Sequence, residues 1–246
     1  MEIKGILFDK DGTLVDFNRT WLAPYRRAAA YLHARFGDAA NADELLARGG
    51  FIAESETWRP DSPLASGSNA GIIDCWSKVV GAPIEGETRH AVEAFFHLPA
   101  AGYAPAVDDM AALLVQLRDF GDGLKLGVAT MDGEANARRM LSAAAVGKHF
   151  DFVCGADSGH GVKPEAGMAR AFCDACGLAA AQVMVVGDSP KDLAMGRNAG
   201  AALTVGVLTG AHTADDLARA DRVLRSIADL PALLRELNSA RDAGLT

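Results

Sequence analysis

Ile6-Leu7-Phe8-Asp9-Lys10-Asp11-Gly12-Thr13-Leu14-Val15 is the most informative segment of this chain. A short apolar segment ends in two carboxylates, Asp9 and Asp11, which are separated by a single residue. Burying carboxylates at the end of a strand costs free energy unless a positive partner compensates them. In an open α/β sheet, ligands bind at the carboxyl ends of the strands. The pair therefore predicts a ligand site whose positive partner is a divalent cation with oxygen ligands.

Outside this stretch, short apolar segments alternate with helical patterns, which is typical of parallel βαβ units. The predicted strands are Gly5–Phe8, Leu124–Ala129, Phe152–Cys154, Val183–Val186 and Ala202–Val205, with an edge strand at Arg222–Leu224. The predicted helices are Glu134–Ala145, Glu165–Cys176, Lys191–Asn198, Thr213–Arg219 and Ile227–Leu237. We therefore expect an α/β fold with a Rossmann-like, doubly wound, mostly parallel sheet.

Residues 17–103 interrupt this alternation. They show helical periodicity, as in Trp21–Phe36, and they contain eleven of the sixteen aromatic residues. We expect a small α-helical cap domain over residues 17–103, packed around these aromatics and lying over the strand ends. The core domain would then comprise residues 1–16 and 104–246. The alternative, in which these helices belong to the core of a single domain, stays open at this point.

Composition narrows the classes of function. Half of the 246 residues are hydrophobic and the net charge is −8, which argues against a nucleic-acid or anionic-membrane partner. No apolar stretch reaches the roughly 18 residues that span a bilayer. The N-terminus leads directly into a strand without a signal peptide, so we expect a cytoplasmic protein. The four cysteines predict no disulfides, and the six histidines, which lack metal-ligand spacing, are expected at the surface or at helix caps.

Polar residues follow several of the predicted strands. In a parallel sheet these positions lie along one edge, so distant segments can meet there. The candidates are Asp9 and Asp11 after the first strand, Thr130 and Met131 after the second, Lys163 after the third, and Asp188 and Asp192 after the fourth.

These residue types suit phosphoryl transfer. Mg²⁺ typically binds one or two carboxylates together with water and a substrate phosphate. Thr130, Lys163 and the backbone N–H groups that follow Thr130 supply donors for an anion, and charge on the phosphoryl oxygens must be stabilised during transfer. A carboxylate can also act as the nucleophile and form an aspartyl-phosphate, while a neighbouring carboxyl group transfers a proton.

The residues resemble those of the haloacid dehalogenase-like hydrolases. The segment Phe8–Leu14 matches the first motif of that superfamily, and Thr130, Lys163-Pro164 and Gly187–Asp192 match the second, third and fourth motifs in order. The helical insertion and the tail from Val205 to Leu224 are similar to those of the phosphoglycolate phosphatase-like subgroup. The resemblance covers essentially the whole chain.

The resemblance implies a role for each matching residue. Asp9 would be the nucleophile, and Asp11 would protonate the leaving alcohol and then activate water. Thr130, Met131 and Lys163 would bind the phosphate. Mg²⁺ would be held by Asp9, the Asp11 backbone carbonyl and Asp188, with Asp192 as a further contact, direct or through a water.

The implied activity is a Mg²⁺-dependent phosphatase that acts on a small phosphorylated metabolite such as phosphoglycolate, as a monomer or homodimer. The carboxylate at Asp11 argues against a dehalogenase or a phosphonate hydrolase. A phosphomutase of the β-phosphoglucomutase type and a catalytically idle binding protein on the same fold stay open as alternatives.

Other residues carry weaker expectations. Asp132 is expected to cap the helix that begins at Glu134, and Lys10 is expected to point away from the two acids, toward the insertion or solvent. Substrate selection is expected from Arg48 and Arg59 in the insertion and from Asn18.

Overall fold

The structure, a computed structural model, describes residues 2–97, 103–121 and 123–242. The chain divides into two compact units, of which the first combines residues 1–16 with 105–246 and the second comprises residues 17–104. The strands are β1 (Gly5–Phe8), β2 (Phe51–Ile52), β3 (Thr57–Trp58), β4 (Lys125–Ala129), β5 (Phe152–Cys154), β6 (Val183–Gly187), β7 (Leu203–Val207) and β8 (Arg222–Leu224). The helices are α1 (Phe17–Phe36), α2 (Ala42–Gly49), α3 (Pro63–Ser66), α4 (Asn69–Val80), α5 (Gly86–Phe96), α6 (Met110–Arg118), α7 (Glu134–Ala143), α8 (Gly167–Cys176), α9 (Pro190–Ala199) and α10 (Leu230–Asp242).

The first unit contains a six-stranded sheet in the order β5-β4-β1-β6-β7-β8, and every neighbouring pair is parallel. Strand β1 lies inside the sheet, with β4 and β5 on one side of it and β6, β7 and β8 on the other. Right-handed crossovers place the connecting helices on opposite faces in such an arrangement. The strand order reverses between β1 and β6, which is where open α/β sheets bind ligands.

The predicted parallel α/β sheet is confirmed. The strands are almost wholly buried apolar runs, as expected for a sheet covered on both faces, and β8 lies at the edge, as predicted. One predicted helix is wrong, because residues 214–219 form turns instead. Within it the Leu217 N–H donates to the carbonyl four residues back, but the Ala218 and Ala220 N–H groups donate to carbonyls only three residues back, so the segment forms successive turns and not a continuing α-helix.

Side chains of β1, β4 and α8 show how tightly the helices pack on this sheet. Phe172 of α8 is fully buried, and a Cβ at Gly127 would lie 2.6 Å from its ring. Leu7 approaches the same position from β1. Close packing of this kind fixes the strand ends that carry the polar residues.

The second unit is helical, with a short antiparallel pair formed by β2 and β3. Aromatic rings fill its interior: Tyr25 stacks on Trp21 and makes edge contacts with Trp58 and Phe96 at centroid distances of 5.6 Å. Trp76 is fully buried and donates from its indole nitrogen to the Leu45 carbonyl at 2.9 Å. The aromatic residues of this segment therefore form a core within the unit itself.

Candidate active site

The carboxyl ends of β1, β4 and β6 lie side by side, because these three strands are neighbours in the sheet. Phe8, the last residue of β1, is in register with Val128 and Val186. Asp9 follows Phe8 directly, and polar residues follow the other two strands within two positions. The convergence of distant polar segments that the sequence predicts is observed at this edge.

Lys163 lies between the buried carboxylates of Asp9 and Asp192, and we call these three residues the Lys163 bridge. The Nζ of Lys163 contacts Asp9 Oδ1 and lies 2.6 Å from Asp192 Oδ1. The three residues are only 7%, 5% and 1% exposed, in the order Asp9, Lys163, Asp192. Burial alone lowers the pKa of Lys163, but the two carboxylates together raise it above its ordinary value, so the lysine stays charged.

Asp192 has two structural roles at the start of α9. Its Oδ2 accepts from the backbone N–H of Ser189 at 3.1 Å and from the Ser189 hydroxyl at 2.6 Å, which forms a capping box. Its Oδ1 meets Lys163. The helix cap and the contact with Lys163 therefore coexist in one side chain.

Asp9, Asp188 and Asp192 form an acidic cluster in which ligand oxygens lie within 4.8 Å of one another. Burial raises the pKa of Asp9 to about 7; Lys163 opposes the shift, while Asp192 and Asp11 add to it. Burial also raises the pKa of Asp188 well above its ordinary value, and Asp9 and Asp192 raise it further. Three carboxylates thus share one ammonium, and a hard divalent cation with oxygen ligands fits this donor set.

Two glycines surround the Asp188 carboxylate. A Cβ at Gly210 would lie 1.7 Å from Asp188 Oδ2, and one at Gly12 would lie 2.6 Å from the same atom. Gly12 also has a φ of +83°, a conformation that side chains disfavour. Thr209 holds this loop by donating its hydroxyl to the Gly12 carbonyl at 2.5 Å. Backbone therefore approaches Asp188 more closely than any residue with a side chain would permit.

Lys10 corrects an expectation from the sequence. It does not point away from the acids but is completely buried, and its Nζ lies 2.7 Å from Asp11 Oδ2 and 3.0 Å from Asp132 Oδ2. We call these three residues the Lys10 bridge. Burial lowers the pKa of Lys10, but Asp11 and Asp132 raise it overall. The chain turns sharply just after β1, where Leu14 and Val15 donate backbone N–H groups to the Lys10 carbonyl, so alternation along an extended strand does not apply.

Asp132 also differs from its predicted role as a cap for α7. The first N–H of that helix, from Glu134, instead donates to Asp157 Oδ1 at 2.8 Å. Asp132 is buried, and besides Lys10 it accepts from Asn136 Nδ2 at 2.6 Å and from the Gly133 N–H at 2.7 Å. Its side chain therefore belongs to a buried polar network beside the strand ends.

A family model described as haloacid dehalogenase-like hydrolase matches residues 3–200, which is most of the chain. The chain belongs to the haloacid dehalogenase-like hydrolase family. The resemblance drawn from the four motifs is thereby confirmed.

Similar proteins of this family include two curated relatives and a solved structure. The chain is 40% identical over 101 residues to "Probable phosphatase IndB" of Dickeya dadantii, a match that spans 41% of this chain and 44% of that relative. It is 25% identical over 248 residues to the phosphoglycolate phosphatase of Pectobacterium atrosepticum, covering 96% of this chain and 94% of that protein. The crystal structure of a "predicted phosphoglycolate phosphatase" from Haemophilus somnus has a TM-score of 0.69 at 20% identity, with 95% of this chain and 98% of that chain covered, and supports the fold.

Two of the three predicted phosphate ligands of this haloacid dehalogenase-like hydrolase, Thr130 and Met131, follow β4 directly. Thr130 is buried, and its hydroxyl oxygen accepts from the Asp132 N–H at 3.1 Å while its own N–H donates to the Cys154 carbonyl. Met131 is half-buried. Their contact with phosphate stays a prediction.

The three residues expected to select the substrate have partners within the helical unit. Asn18 accepts from the Trp58 indole and donates to the Glu56 carbonyl at 3.2 Å. Arg59 contacts the Ala47 carbonyl, and the exposed Arg48 lies 3.7 Å from Glu44. Their role in substrate selection stays a prediction.

Sequence reasoning missed the Lys10 bridge and Asn136. The available signal was the four-residue spacing of Asp132, which lies two residues before α7, and Asn136, whose side-chain amide donates to it from the first turn of that helix. Two histidines also differ from expectation, because His149 and His212 are buried.

Among the described residues, no helix combines the length and hydrophobicity needed to cross a membrane.

Proposed function

We propose that this protein is a Mg²⁺-dependent phosphatase that hydrolyses a small phosphomonoester, such as phosphoglycolate or a similar phosphorylated metabolite. The observation that carries the proposal is the pairing of two distinct carboxylates after β1. Asp9 is buried against Lys163, whereas Asp11 contacts a different lysine. This separation suits one acid as nucleophile and the other as proton carrier. The phosphatase names of the relatives point the same way.

In the first step, an Asp9 carboxylate oxygen attacks phosphorus and the bond from phosphorus to the ester oxygen breaks. The Asp11 carboxyl group gives its proton to that oxygen, so the alcohol leaves and an aspartyl-phosphate remains on Asp9. In the second step, Asp11 takes a proton from water as the water oxygen attacks phosphorus. The bond from phosphorus to the Asp9 oxygen breaks, which releases inorganic phosphate and restores the Asp9 carboxylate, and Asp11 keeps the proton for the next cycle.

The other residues stabilise negative charge. Lys163, the Thr130 hydroxyl and the Met131 N–H would bind the phosphoryl oxygens. Asp9, Asp188 and Asp192 would hold Mg²⁺ with the Asp11 backbone carbonyl; when bound, the ion supplies Lewis-acid stabilisation of the phosphoryl group. The helical unit, including Arg48, Arg59 and Asn18, would select the substrate as a cap.

The test is turnover of p-nitrophenyl phosphate with Mg²⁺ and with excess EDTA, followed by a panel of phosphorylated metabolites that includes 2-phosphoglycolate. Asp9→Asn should lower kcat about 10³-fold or more, and EDTA should abolish turnover. Activity retained in that variant would overturn the nucleophile assignment. Release of an isomeric phosphosugar in place of inorganic phosphate would favour a phosphomutase, and no turnover of any ester would favour a binding protein.

A further inference from the structure

Lys10 and Asp132 have no step in the function proposed so far, although Lys10 contacts Asp11, the proposed proton carrier. Lys10 is fully inaccessible, and its ammonium lies 2.7 Å from Asp11 Oδ2. Taking an ammonium out of water costs several kcal/mol unless its partners are well placed. A residue that only filled space between β1 and its neighbours would be apolar at this position. The presence of a buried charge here therefore needs a reason.

The second carboxylate of the bridge is itself fixed by the protein. Asp132 accepts from Asn136 Nδ2 and from the Gly133 N–H through different oxygens. Asn136 in turn accepts from Arg139 at 2.8 Å. A continuous series of polar contacts thus runs from α7 through Asp132 and Lys10 to Asp11. The ammonium is held from the helix side, and its contact with Asp11 constrains that carboxyl group.

We propose that Lys10 and Asp132 are positioning residues that hold the Asp11 carboxyl group in the orientation required for proton transfer. This inference rests on the proposed phosphatase function. A carboxyl group without an anchor samples several rotamers, and the fraction of time that it spends in reach of the ester oxygen falls. Lys163 has a different role, because its ammonium contacts the nucleophile Asp9 together with Asp192.

The test is the dependence of kcat/KM on the leaving group. Loss of proton delivery matters most for a poor leaving group such as phenolate, and little for 2,4-dinitrophenolate, which leaves without a proton. Lys10→Met should lower kcat/KM for phenyl phosphate about 10²-fold and for 2,4-dinitrophenyl phosphate only about threefold. Asp132→Asn should show the same inequality with a smaller loss of about tenfold for phenyl phosphate. Lys10→Arg, which keeps a cation, should recover part of the phenyl phosphate activity.

Asp151→Asn is the matched control. Asp151 also accepts hydrogen bonds from several groups, but these include Leu126 and Lys125, which lie at the end of β4 away from the site. It should affect both substrates equally. Equal losses for both substrates in Lys10→Met and Asp132→Asn would overturn the inference and show a purely structural role. Where Lys10→Met does not fold, as judged by circular dichroism, the Asp132→Asn series decides alone. If the wild-type enzyme showed no turnover that depends on Asp9, the proposed function itself would be overturned. That result differs from one in which the enzyme is active and its variants lose activity equally toward both substrates.

Discussion

The Lys163 bridge and the Lys10 bridge are alike in composition and differ in their surroundings. Each places a buried lysine between two carboxylates, and each takes one of those carboxylates from the segment that follows β1. Lys163 adjoins an acidic cluster that also includes Asp188. Lys10 adjoins Asp132, whose oxygens also accept from an amide side chain and a backbone N–H. The same three charged groups therefore lie beside a further carboxylate in one bridge and beside neutral hydrogen-bond donors in the other.

This difference indicates what each bridge can do. Beside Lys163, negative charge exceeds positive charge, and burial keeps the pKa of Asp9 and Asp188 above ordinary values. Such a site gains stability when a cation binds. Beside Lys10, the Asp132 carboxylate accepts hydrogen bonds from Asn136 and from the Gly133 N–H, which stabilise its negative charge without a further ion. We therefore expect the first bridge to respond to Mg²⁺ and the second to be insensitive to it.

The largest effect is expected from Lys163→Met, which leaves Asp9 and Asp192 buried without their ammonium. We expect kcat to fall about 10³-fold and the free energy of unfolding without Mg²⁺ to fall by about 3–5 kcal/mol. Mg²⁺ should then raise the Tm of this variant more than that of the wild type, because the ion replaces lost positive charge. Thermal unfolding in EDTA and in Mg²⁺ measures this.

Lys10→Met provides the contrast for that measurement. Its gain in Tm from Mg²⁺ should equal that of the wild type, since the carboxylates of Asp11 and Asp132 lie outside the acidic cluster found among the described residues and Asp11 would offer Mg²⁺ only its backbone carbonyl. If Mg²⁺ raised the Tm of both lysine variants by the same amount, and by more than it raises the Tm of the wild type, the distinction between the bridges would be contradicted.

The next effect concerns the Asp188 carboxylate and Mg²⁺ affinity. In Gly210→Ala the added Cβ would lie 1.7 Å from Asp188 Oδ2, so the carboxylate must move. We expect the Mg²⁺ concentration for half-maximal activity to rise about 10- to 100-fold. Gly147→Ala, where the nearest atoms of Leu141 lie at ordinary contact distances of 3.6–3.7 Å, should leave it unchanged. Unchanged Mg²⁺ dependence in Gly210→Ala would remove Asp188 from the proposed metal site.

A smaller effect is expected from coupling within the Lys10 bridge. The free energies of unfolding of Lys10→Met, Asp132→Asn and the double variant should be non-additive by about 1–3 kcal/mol, because each single change leaves the other charge buried. The cycle of Lys10→Met with Asp151→Asn should be additive within about 0.5 kcal/mol. Chemical denaturation measures both cycles, and additivity within the bridge would show that its contact is not energetically important.

The two bridges also show what the sequence could predict. The strands were predictable because buried parallel strands are short apolar runs bounded by polar residues. The members of the Lys163 bridge were predictable as residues that meet at the ends of the strands, because each follows one of those runs. Predicted helix 213–219 failed because its pattern was short and the N–H groups of Ala218 and Ala220 bond to carbonyls three residues back, which closes turns and does not continue an α-helix.

The Lys10 bridge was not predictable for a different physical reason. The direction of the Lys10 side chain depends on the tight turn after β1, where backbone N–H groups of Leu14 and Val15 return to the Lys10 carbonyl. Its partner Asp132 is more than one hundred residues away in the chain. Neither the turn geometry nor the contact leaves a periodic pattern, so alternation along a strand gave the wrong side.

The smallest effect is expected at Asp151, a partly exposed carboxylate that serves as a reference for the two buried bridges. Burial alone would raise its pKa, but the Leu126 N–H, Arg118 and Lys125 together lower it. A lowered carboxyl pKa contributes stability above the unfolded-state value of about 3.9, and this contribution is lost as the pH falls through the folded-state pKa. Asp151→Asn should therefore cost about 1 kcal/mol at pH 7, after allowance for solvent screening, and progressively less below about pH 4. Denaturation of both proteins across this range tests it; a difference that persists unchanged at low pH would assign the loss to packing and not to charge.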